Sequence, residues 1–385
     1  MPAQHTKTFP SWPQLGEAEA RAAADALLSN KLSQNAGNQV ATFESAFARW
    51  HDIGHAIAVN TGTSAIHLAL AAIGVGPGDE VLVPAYTFVG SATPIVYLGA
   101  TPVFVDVDED TFCLDPADAE SKITGRTKAI VAVHLNGYPA PLGELSDIAR
   151  RHGIRLIEDT AQAHGAEFGG KPVGTVGDLG CFSFWQDKTM TTGGEGGAVV
   201  TGDDEIASAV RVLRDHGLVP AGPGLYHHAV VGYNYRLTSP QAAVGAVQLA
   251  KLDDFVTARR RNGALMDAGL ASVPGIALPR VVPGGRAAPW KYTLRLTADP
   301  AVLDVTTLVD ELRKEGVPAA RRYPIPLTRQ PIFAGNPSNR TCPVSDRCAS
   351  TAFCLPVHPA VGPEDVQACV DAVTKVLANH GLATS

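Results

Sequence analysis

Between about residues 40 and 250, short apolar runs alternate with longer helical patterns. Strands are predicted at Ala56–Val59, Glu80–Pro84, Pro102–Val107, Ala129–His134 and Arg155–Glu158, and helices at Ser64–Ile73, Val89–Leu98 and Glu144–His152. A chain with this alternation buries its strands in a mostly parallel sheet and covers both faces of that sheet with helices. We therefore predict an α/β fold.

The C-terminal third of the chain is organised differently. Helical patterns at 247–272, 305–316 and 363–379 surround the alternating segment Lys291–Leu296. We therefore predict two domains. Residues 1–250 form an N-terminal arm and a large domain, and residues 251–385 form a connecting helix and a smaller α+β domain.

Composition and charge exclude several classes of protein. Lys and Arg total 31 against 38 Asp and Glu, a formal charge of −7, whereas proteins that wrap nucleic acid usually carry a basic excess. No run of about 18 apolar residues could span a membrane, and the N-terminus lacks a secretory pattern. The six cysteines form no CxxC pair, so no metal site is expected. We expect a soluble, cytoplasmic protein that binds neither nucleic acid nor membranes.

Two predicted strands end in loops with polar groups. The loop Thr61–Ala65 opens a helix whose free N–H groups favour a phosphate, although Thr63 or Ser64 could simply cap that helix. Asp159 ends another strand, where its carboxylate could hold a ring nitrogen protonated or cap a turn. Because ligands collect at the carboxyl ends of strands in open α/β sheets, both loops are candidate binding elements.

A single lysine, Lys188, stands between the aromatic segment 182–185 and the glycine-rich segment 193–197. Most lysines are solvated, but a desolvated lysine can form a Schiff base with an aldehyde. Glycines beside it let the backbone approach a flat ligand closely. A fourth polar and aromatic cluster, at 232–236, lies just before a predicted helix.

Taken together, these loops resemble the DegT/DnrJ/EryC1/StrS family, which are pyridoxal-phosphate-dependent sugar aminotransferases of the aspartate aminotransferase fold (fold type I). The segments that carry the resemblance are TGTSA at 61–65, PAYTFVGSA at 84–92, EDTAQAHGA at 158–166, FSFWQDKTMTTGGEGGAV at 182–199 and NYRLTSPQAAVGAVQL at 234–249. Each alone gives modest support, but five in the right order extend the resemblance over nearly the whole chain. The resemblance implies an enzyme with pyridoxal 5'-phosphate as its cofactor.

The resemblance also implies roles for individual residues. Lys188 matches the lysine that binds the cofactor and shuttles the proton, and Asp159 matches the acid that keeps the pyridine nitrogen protonated. The other matches to cofactor contacts are Gly62, Thr63 and Ser183 at the phosphate, Phe88 on the ring, Gln162 beside the phenolic oxygen, and Asn234 from a neighbouring subunit. A homodimer with shared active sites follows from the last of these matches.

The implied reaction moves an amino group from L-glutamate or L-glutamine to the ketone of a nucleotide-linked sugar or a cyclitol. Such reactions belong to aminosugar, antibiotic or surface-polysaccharide biosynthesis. The opening Phe9–Pro13 resembles cyclitol aminotransferases, whereas Arg214–Gly217 resembles nucleotide-sugar enzymes. Candidate substrate contacts are Tyr86, Arg236, Arg321, Arg322, Tyr323 and His358. Surface salt bridges explain the arginines equally well. Packing at the domain junction is an alternative role for His358.

Two alternatives to a simple aminotransferase stay open. Phe9–Pro13 also resembles 3-amino-5-hydroxybenzoate synthases, which add an aromatising dehydration. A regulator or silent subunit on the same fold is the second alternative, but about 40 residues before the core are too few for a DNA-binding domain. Intact Lys188 and Asp159 also argue against a silent subunit. We expect the region around Trp12 to pack over the active site.

Overall fold

The computed structural model of the chain describes residues 9–219, 226–338 and 341–382. Its helices are α1 (Glu17–Leu28), α2 (Gln39–Trp50), α3 (Gly62–Ala72), α4 (Thr93–Tyr97), α5 (Pro116–Ser121), α6 (Leu142–His152), α7 (Asp204–Arg214), α8 (Ser239–Ala250), α9 (Leu252–Leu270), α10 (Val305–Lys314), α11 (Pro343–Thr351) and α12 (Pro363–Asn379). Its strands are β1 (His55–Val59), β2 (Glu80–Pro84), β3 (Thr101–Val105), β4 (Thr127–Val133), β5 (Arg155–Asp159), β6 (Glu167–Phe168), β7 (Lys171–Pro172), β8 (Leu179–Ser183), β9 (Gly197–Thr201), β10 (Leu218–Val219), β11 (His227–His228), β12 (Ile276–Ala277), β13 (Gly285–Arg286), β14 (Tyr292–Leu296) and β15 (Ala352–Leu355).

A seven-stranded sheet in the order β1-β9-β8-β5-β4-β2-β3 forms the centre of the described structure. Neighbouring strands from β3 to β8 pair in parallel, and β9 is antiparallel to both of its neighbours. The parallel strands are buried along almost their whole length because helices cover both faces of the sheet. The predicted α/β fold with a mostly parallel sheet is confirmed. The parallel strands end at one edge, which brings the loops after β5 and β8 side by side.

Two predicted helices are not continuous in the structure. The pattern over 89–98 forms a single 3₁₀ turn at Val89–Ser91 followed by α4. Pro94 lacks the N–H that would bond the carbonyl of residue 90, so one helix cannot run through this segment. The pattern over 247–272 is also divided, because α8 ends at Ala250 and α9 starts at Leu252. Asp253 and Asp254 in the first turn of α9 stabilise a new helix N-terminus there.

The C-terminal part of the chain builds a smaller α+β unit. Strand β14 pairs antiparallel with β12 and β15, and a separate hydrophobic cluster fills the space between this sheet and helices α9, α10 and α12. A smaller α+β domain was predicted here and is confirmed, while its boundary at residue 250 stays a prediction. Among the described helices, none is long and apolar enough to cross a membrane.

Candidate active site

The carboxyl ends of β5 and β8 open into a cavity of about 520 Å³. Nine residues selected from the sequence line it: Gly62, Thr63, Phe88, Asp159, Gln162, Ser183, Lys188, Arg322 and Tyr323. The structure adds residues that sequence reasoning did not name individually as cofactor or substrate contacts: Thr61, Ile66, Gly90, Ser91, Ala161, Trp185, Glu195 and Trp290. Segments that lie more than 250 positions apart in the chain therefore meet in one space.

Lys188 lies in the turn after β8 and is only 8% exposed. Its Nζ atom lies 4.2 Å from the centroid of the Trp290 ring. The pKa of Lys188 is lowered to about 8, mainly by burial and also by the cations of Arg322 and Lys291, although Asp159 and Asp187 act in the opposite direction. The amine is therefore neutral far more often near neutral pH than that of a solvated lysine.

Asp159, the last residue of β5, carries a buried carboxylate that faces the same cavity. The Ser91 hydroxyl donates to its Oδ2 at 2.7 Å, and the Ala161 N–H donates to its Oδ1 at 3.1 Å. These two donors fix the orientation of the carboxylate at the cavity wall. The segment that contains Ser91 was selected from the sequence, but this residue was not.

Glu158 anchors the end of β5 from the other side. Its carboxylate accepts hydrogen bonds from the backbone N–H groups of Gly174, Val176 and Gly177 and from His134 Nε2 at 2.7–2.9 Å. Burial raises the pKa of Glu158, but His134 and the backbone donors outweigh it and lower the pKa overall. A fully bonded carboxylate at this position fixes the strand end from which Asp159 projects.

Gln162 connects two sides of the cavity. Its Oε1 accepts from the Asn136 N–H at 2.8 Å, and its Nε2 donates to the Tyr323 hydroxyl at 2.8 Å. Tyr86 does not line the cavity, because its ring is fully buried and its hydroxyl donates to the backbone oxygen of Arg322 at 2.9 Å. Tyr86 thus contacts the backbone of the segment that presents Arg322 and Tyr323 to the cavity.

The loop before α3 touches the end of β8. The helix is capped by Thr61, whose Oγ1 accepts from the Ser64 N–H at 3.0 Å, so the cap is neither Thr63 nor Ser64. A Cβ atom at Gly62 would lie 2.6 Å from the Cβ of Ser183, which is far too close. Gly62 and Thr63 line the cavity at the N-terminus of α3, where backbone N–H groups suit a phosphate.

Besides Tyr86, four more residues selected from the sequence do not line this cavity. Asn234 is exposed, and Arg236 forms an ion pair with Asp215. Arg321 donates instead to one oxygen in α10 and one in α11, each at 2.9 Å. His358 packs against the Trp12 ring at a centroid distance of 5.9 Å. These four positions give no contact to a ligand in the cavity of the same subunit.

The family model for the DegT/DnrJ/EryC1/StrS aminotransferase family matches residues 13–374. The chain belongs to this family. It is therefore an aminotransferase, its cofactor is pyridoxal 5'-phosphate, and its fold is fold type I. The family resemblance given by the five sequence segments is confirmed.

Individual relatives cover most of the chain. It is 40% identical over 348 residues to GDP-perosamine synthase of Caulobacter vibrioides, with 89% of this chain and 91% of the relative covered. It is also 40% identical over 352 residues to L-glutamine:2-deoxy-scyllo-inosose aminotransferase of Streptomyces kanamyceticus, with 87% and 81% covered. The X-ray structure of the aminotransferase from Psychrobacter cryohalolentis superposes with a TM-score of 0.93 at 34% identity, covering 97% and 100%.

The cavity of this aminotransferase fits its cofactor. The open cradle at Gly62 and Ser183 suits the phosphate, and a half-exposed aromatic ring, Phe88, is available to cover a flat ligand. A buried lysine and a buried, hydrogen-bonded carboxylate face the same space. These are the groups that an aldehyde and a protonated ring nitrogen require.

Proposed function

We propose that this aminotransferase moves an amino group from L-glutamate or L-glutamine to the ketone of a nucleotide-linked sugar or a cyclitol. The observation that carries the proposal is the pairing of Lys188 and Asp159 across one cavity, with the pKa of Lys188 lowered to about 8. About a tenth of such lysines are neutral at pH 7, against fewer than about one in a thousand solvated lysines. Lys188 is thus suited to bind an aldehyde and to accept a proton from an adjacent carbon.

When bound, the cofactor supplies a reactive carbonyl and a ring that withdraws electrons from the substrate carbon. In our proposal Asp159 holds a proton on the ring nitrogen, and Ser91 and Ala161 hold the Asp159 carboxylate in place. The backbone at Gly62 and Thr63 and the hydroxyl of Ser183 bind the phosphate. Phe88 would cover a face of the ring, and Gln162 would contact the phenolic oxygen.

We propose Arg322 and Tyr323 as the substrate contacts in the same subunit, since both line the cavity. Tyr86 would act through the backbone of Arg322, to which its hydroxyl is bonded. Arg321 and His358 lie outside the cavity, so we give them no substrate contact in this proposal. A guanidinium and a phenol suit a substrate that carries oxygen acceptors and hydroxyl groups.

We also propose a homodimer with shared active sites, to which Asn234 and Arg236 contribute from the neighbouring subunit. Asn234 is exposed, so it is free to reach a second copy. Nearby Tyr226, Val230 and Val231 are 84%, 50% and 88% exposed, which is unusual for apolar side chains so close together in sequence. A second copy of the chain would remove this apolar surface from water.

A cytoplasmic location also stays a prediction.

The two relatives described above represent two different substrate classes. The names of those relatives specify a GDP-sugar product and a cyclitol substrate, and the latter name specifies L-glutamine as donor. We expect glutamine to be preferred if the substrate is a cyclitol and glutamate if it is a nucleotide-linked sugar. An aromatic product formed by dehydration would instead support the aminohydroxybenzoate alternative.

The test is a half-reaction with purified, cofactor-loaded protein. L-glutamate and L-glutamine are added separately, and the change in the visible absorbance of the bound cofactor is followed. The expected result is bleaching by at least one donor, which is lost in Lys188→Ala and kept in Lys128→Ala, a control at an exposed lysine. Undiminished turnover in Lys188→Ala would contradict the role proposed for this lysine.

A further inference from the structure

The N-terminal arm reaches the backbone of Lys188. Trp12 Nε1 donates a hydrogen bond to the Lys188 carbonyl oxygen at 2.9 Å. The indole ring also stacks on His358 at 5.9 Å and meets the ring of Phe255 edge-on at 5.2 Å. Trp12 lies 176 positions before Lys188 in the chain. It is nevertheless held between the rings of His358 and Phe255 and bonded to the carbonyl group of Lys188.

A buried arginine connects Trp12 to Trp290, the residue beneath the Lys188 side chain. Arg259 is fully buried, its Cζ lies 5.1 Å from the Trp12 ring centroid, and its Nη1 donates to the Trp290 carbonyl at 2.9 Å. Its Nε and Nη2 atoms have no hydrogen-bond partner in the described structure. A buried guanidinium is costly without partners, and both the carbonyl oxygens that accept from Nη1 and the face of Trp12 offset part of that cost.

The second indole completes a clamp on the same segment. Trp290 Nε1 donates to the carbonyl oxygen of Asp187, while Trp12 Nε1 bonds the carbonyl oxygen of Lys188. Two indole N–H groups thus hold two consecutive carbonyl groups. The Lys188 N–H donates in turn to the Trp185 carbonyl at 2.8 Å, so the lysine backbone is fixed on both sides.

We propose that Trp12 is a positioning residue for Lys188, which holds the lysine backbone through its carbonyl group so that the amine stays over Trp290 and faces Asp159. The inference rests on the proposed role of Lys188. Within residues 9–16, the described part of the arm, the residue that donates a hydrogen bond to the Lys188 carbonyl is Trp12. A variant without the indole N–H therefore loses the bond between this part of the arm and that carbonyl. Small displacements of a reacting group reduce rates strongly, so the bond is expected to affect the reaction as well as the fold.

The charged and titratable groups around Lys188 determine how its pKa would change if the contacts of Trp12 and Trp290 with this segment were lost. Acidic side chains near it are Asp159, Asp187 and Glu195, cationic side chains are Arg322 and Lys291, and His164 lies buried nearby with a pKa held well below its ordinary value, mainly by burial. Burial is the largest influence on the Lys188 amine. If the clamp opens and water reaches the amine, its pKa will rise toward that of an ordinary lysine.

The experiment compares Trp12→Phe with Trp50→Phe in the full-length protein. Both changes remove an indole N–H that makes one hydrogen bond, but Trp50 bonds Asp253 outside the cavity. A second variant carries benzothienylalanine at position 12, which keeps the shape of the ring and has sulfur in place of the N–H. The pKa of Lys188 is read in cofactor-free protein from the pH dependence of its acetylation, followed by mass spectrometry, and kcat and KM are measured in loaded protein.

We expect both position-12 variants to raise the Lys188 pKa by about half a unit or more and to lower kcat about fivefold, with KM for the donor within about twofold. Trp50→Phe should change neither. An unchanged Lys188 pKa would overturn the inference even if activity or thermal stability fell, because the arm would then support the fold only. Failure of Lys188→Ala to lose turnover would contradict the proposed function instead, so the two failures are distinguishable.

Discussion

The Nζ atom of Lys188 lies 4.2 Å from the ring centroid of Trp290, and this indole also has two other cations over it. The Cζ of Arg322 lies 4.9 Å and the Nζ of Lys291 lies 5.2 Å from the same centroid. One carboxylate offsets them, since Asp187 is 3.0 Å from Lys291 and 3.5 Å from Arg322. The balance of these charges, together with burial, sets the protonation state of Lys188.

Removing a negative charge from this group should lower the Lys188 pKa, and removing a positive charge should raise it. Asp187→Asn removes a carboxylate that favours the ammonium form, so the pKa should fall below about 8. Arg322→Gln removes a repelling cation, so the pKa should rise. The measurement is the pH dependence of Lys188 acetylation in cofactor-free protein. Shifts of the same sign in the two variants would contradict this account.

The buried lysine should cost the cofactor-free protein stability. The folded pKa of about 8 lies below the unfolded value of about 10.4, so below pH 8 both states bind the proton and the folded state carries the full cost. We expect Lys188→Met to stabilise the cofactor-free protein by roughly 2–3 kcal/mol at pH 7. Above pH 8 the wild-type folded state releases the proton, and the difference should shrink by about 1 kcal/mol per pH unit.

Urea unfolding at pH 7 and pH 9 measures this difference. Lys128→Met is the matched control, because Lys128 is exposed and should show no such gain. A Lys188→Met protein that is less stable than the wild type at pH 7 would contradict the cost assigned to the buried amine.

Site residues that lie in recognisable sequence segments were largely predictable. Site residues that reach the cavity only through the packing of distant parts of the chain were not. Asp159 ends β5 and Lys188 follows the neighbouring strand β8, so strand order alone brings them to one edge. Trp290 lies about 100 positions further along and reaches the cavity only through the packing of the C-terminal unit. No spacing in the sequence connects these positions.

Adjacent arginines show the same limit at the level of a single residue. Arg321 and Arg322 were selected together, yet their side chains leave the chain in different directions. Arg322 lines the cavity, whereas Arg321 donates to Ala349 and lines a different surface. The backbone bends at Arg322, and Tyr323 has a φ of 51°, so which of the two side chains faces the cavity depends on this local geometry and on the groups that bond the other.

Gly62 should be required for cofactor binding. In Gly62→Ala the added Cβ would lie 2.6 Å from the Cβ of Ser183, so α3 must move away from β8 and the phosphate cradle must change shape. We expect the affinity for pyridoxal 5'-phosphate to fall at least about tenfold, as measured by fluorescence titration of cofactor-free protein. Gly202→Ala is the control, because among the described residues no atom other than those of Gly202 and its two chain neighbours lies within 4 Å of the position that its Cβ would take. Equal affinities in the two variants would argue against the cradle.

Ser91 should support the Asp159 carboxylate. In Ser91→Ala the hydrogen bond to Oδ2 at 2.7 Å is lost, and a bond to a charged group contributes about 1.5–3 kcal/mol. We expect the rate of the half-reaction to fall roughly tenfold, with a loss of stability no larger than the contribution of that bond. Ser350→Ala provides the comparison, since the exposed Ser350 hydroxyl bonds a carbonyl of its own helix. A half-reaction rate equal to that of the wild type would rule out this support.

Mixing two inactive variants should restore activity if Asn234 serves the neighbouring subunit. Lys188→Ala and Asn234→Ala are each expected to be inactive as homodimers. In a mixed dimer, one active site combines both substitutions, but the other combines an intact Lys188 with an intact Asn234 from the second chain. Random exchange gives mixed dimers in half of the population, so about a quarter of the wild-type activity should return. The measurement is the half-reaction after co-refolding or co-expression of the two variants. If Asn234 acted within its own subunit, every site would carry at least one substitution, and mixing would restore nothing.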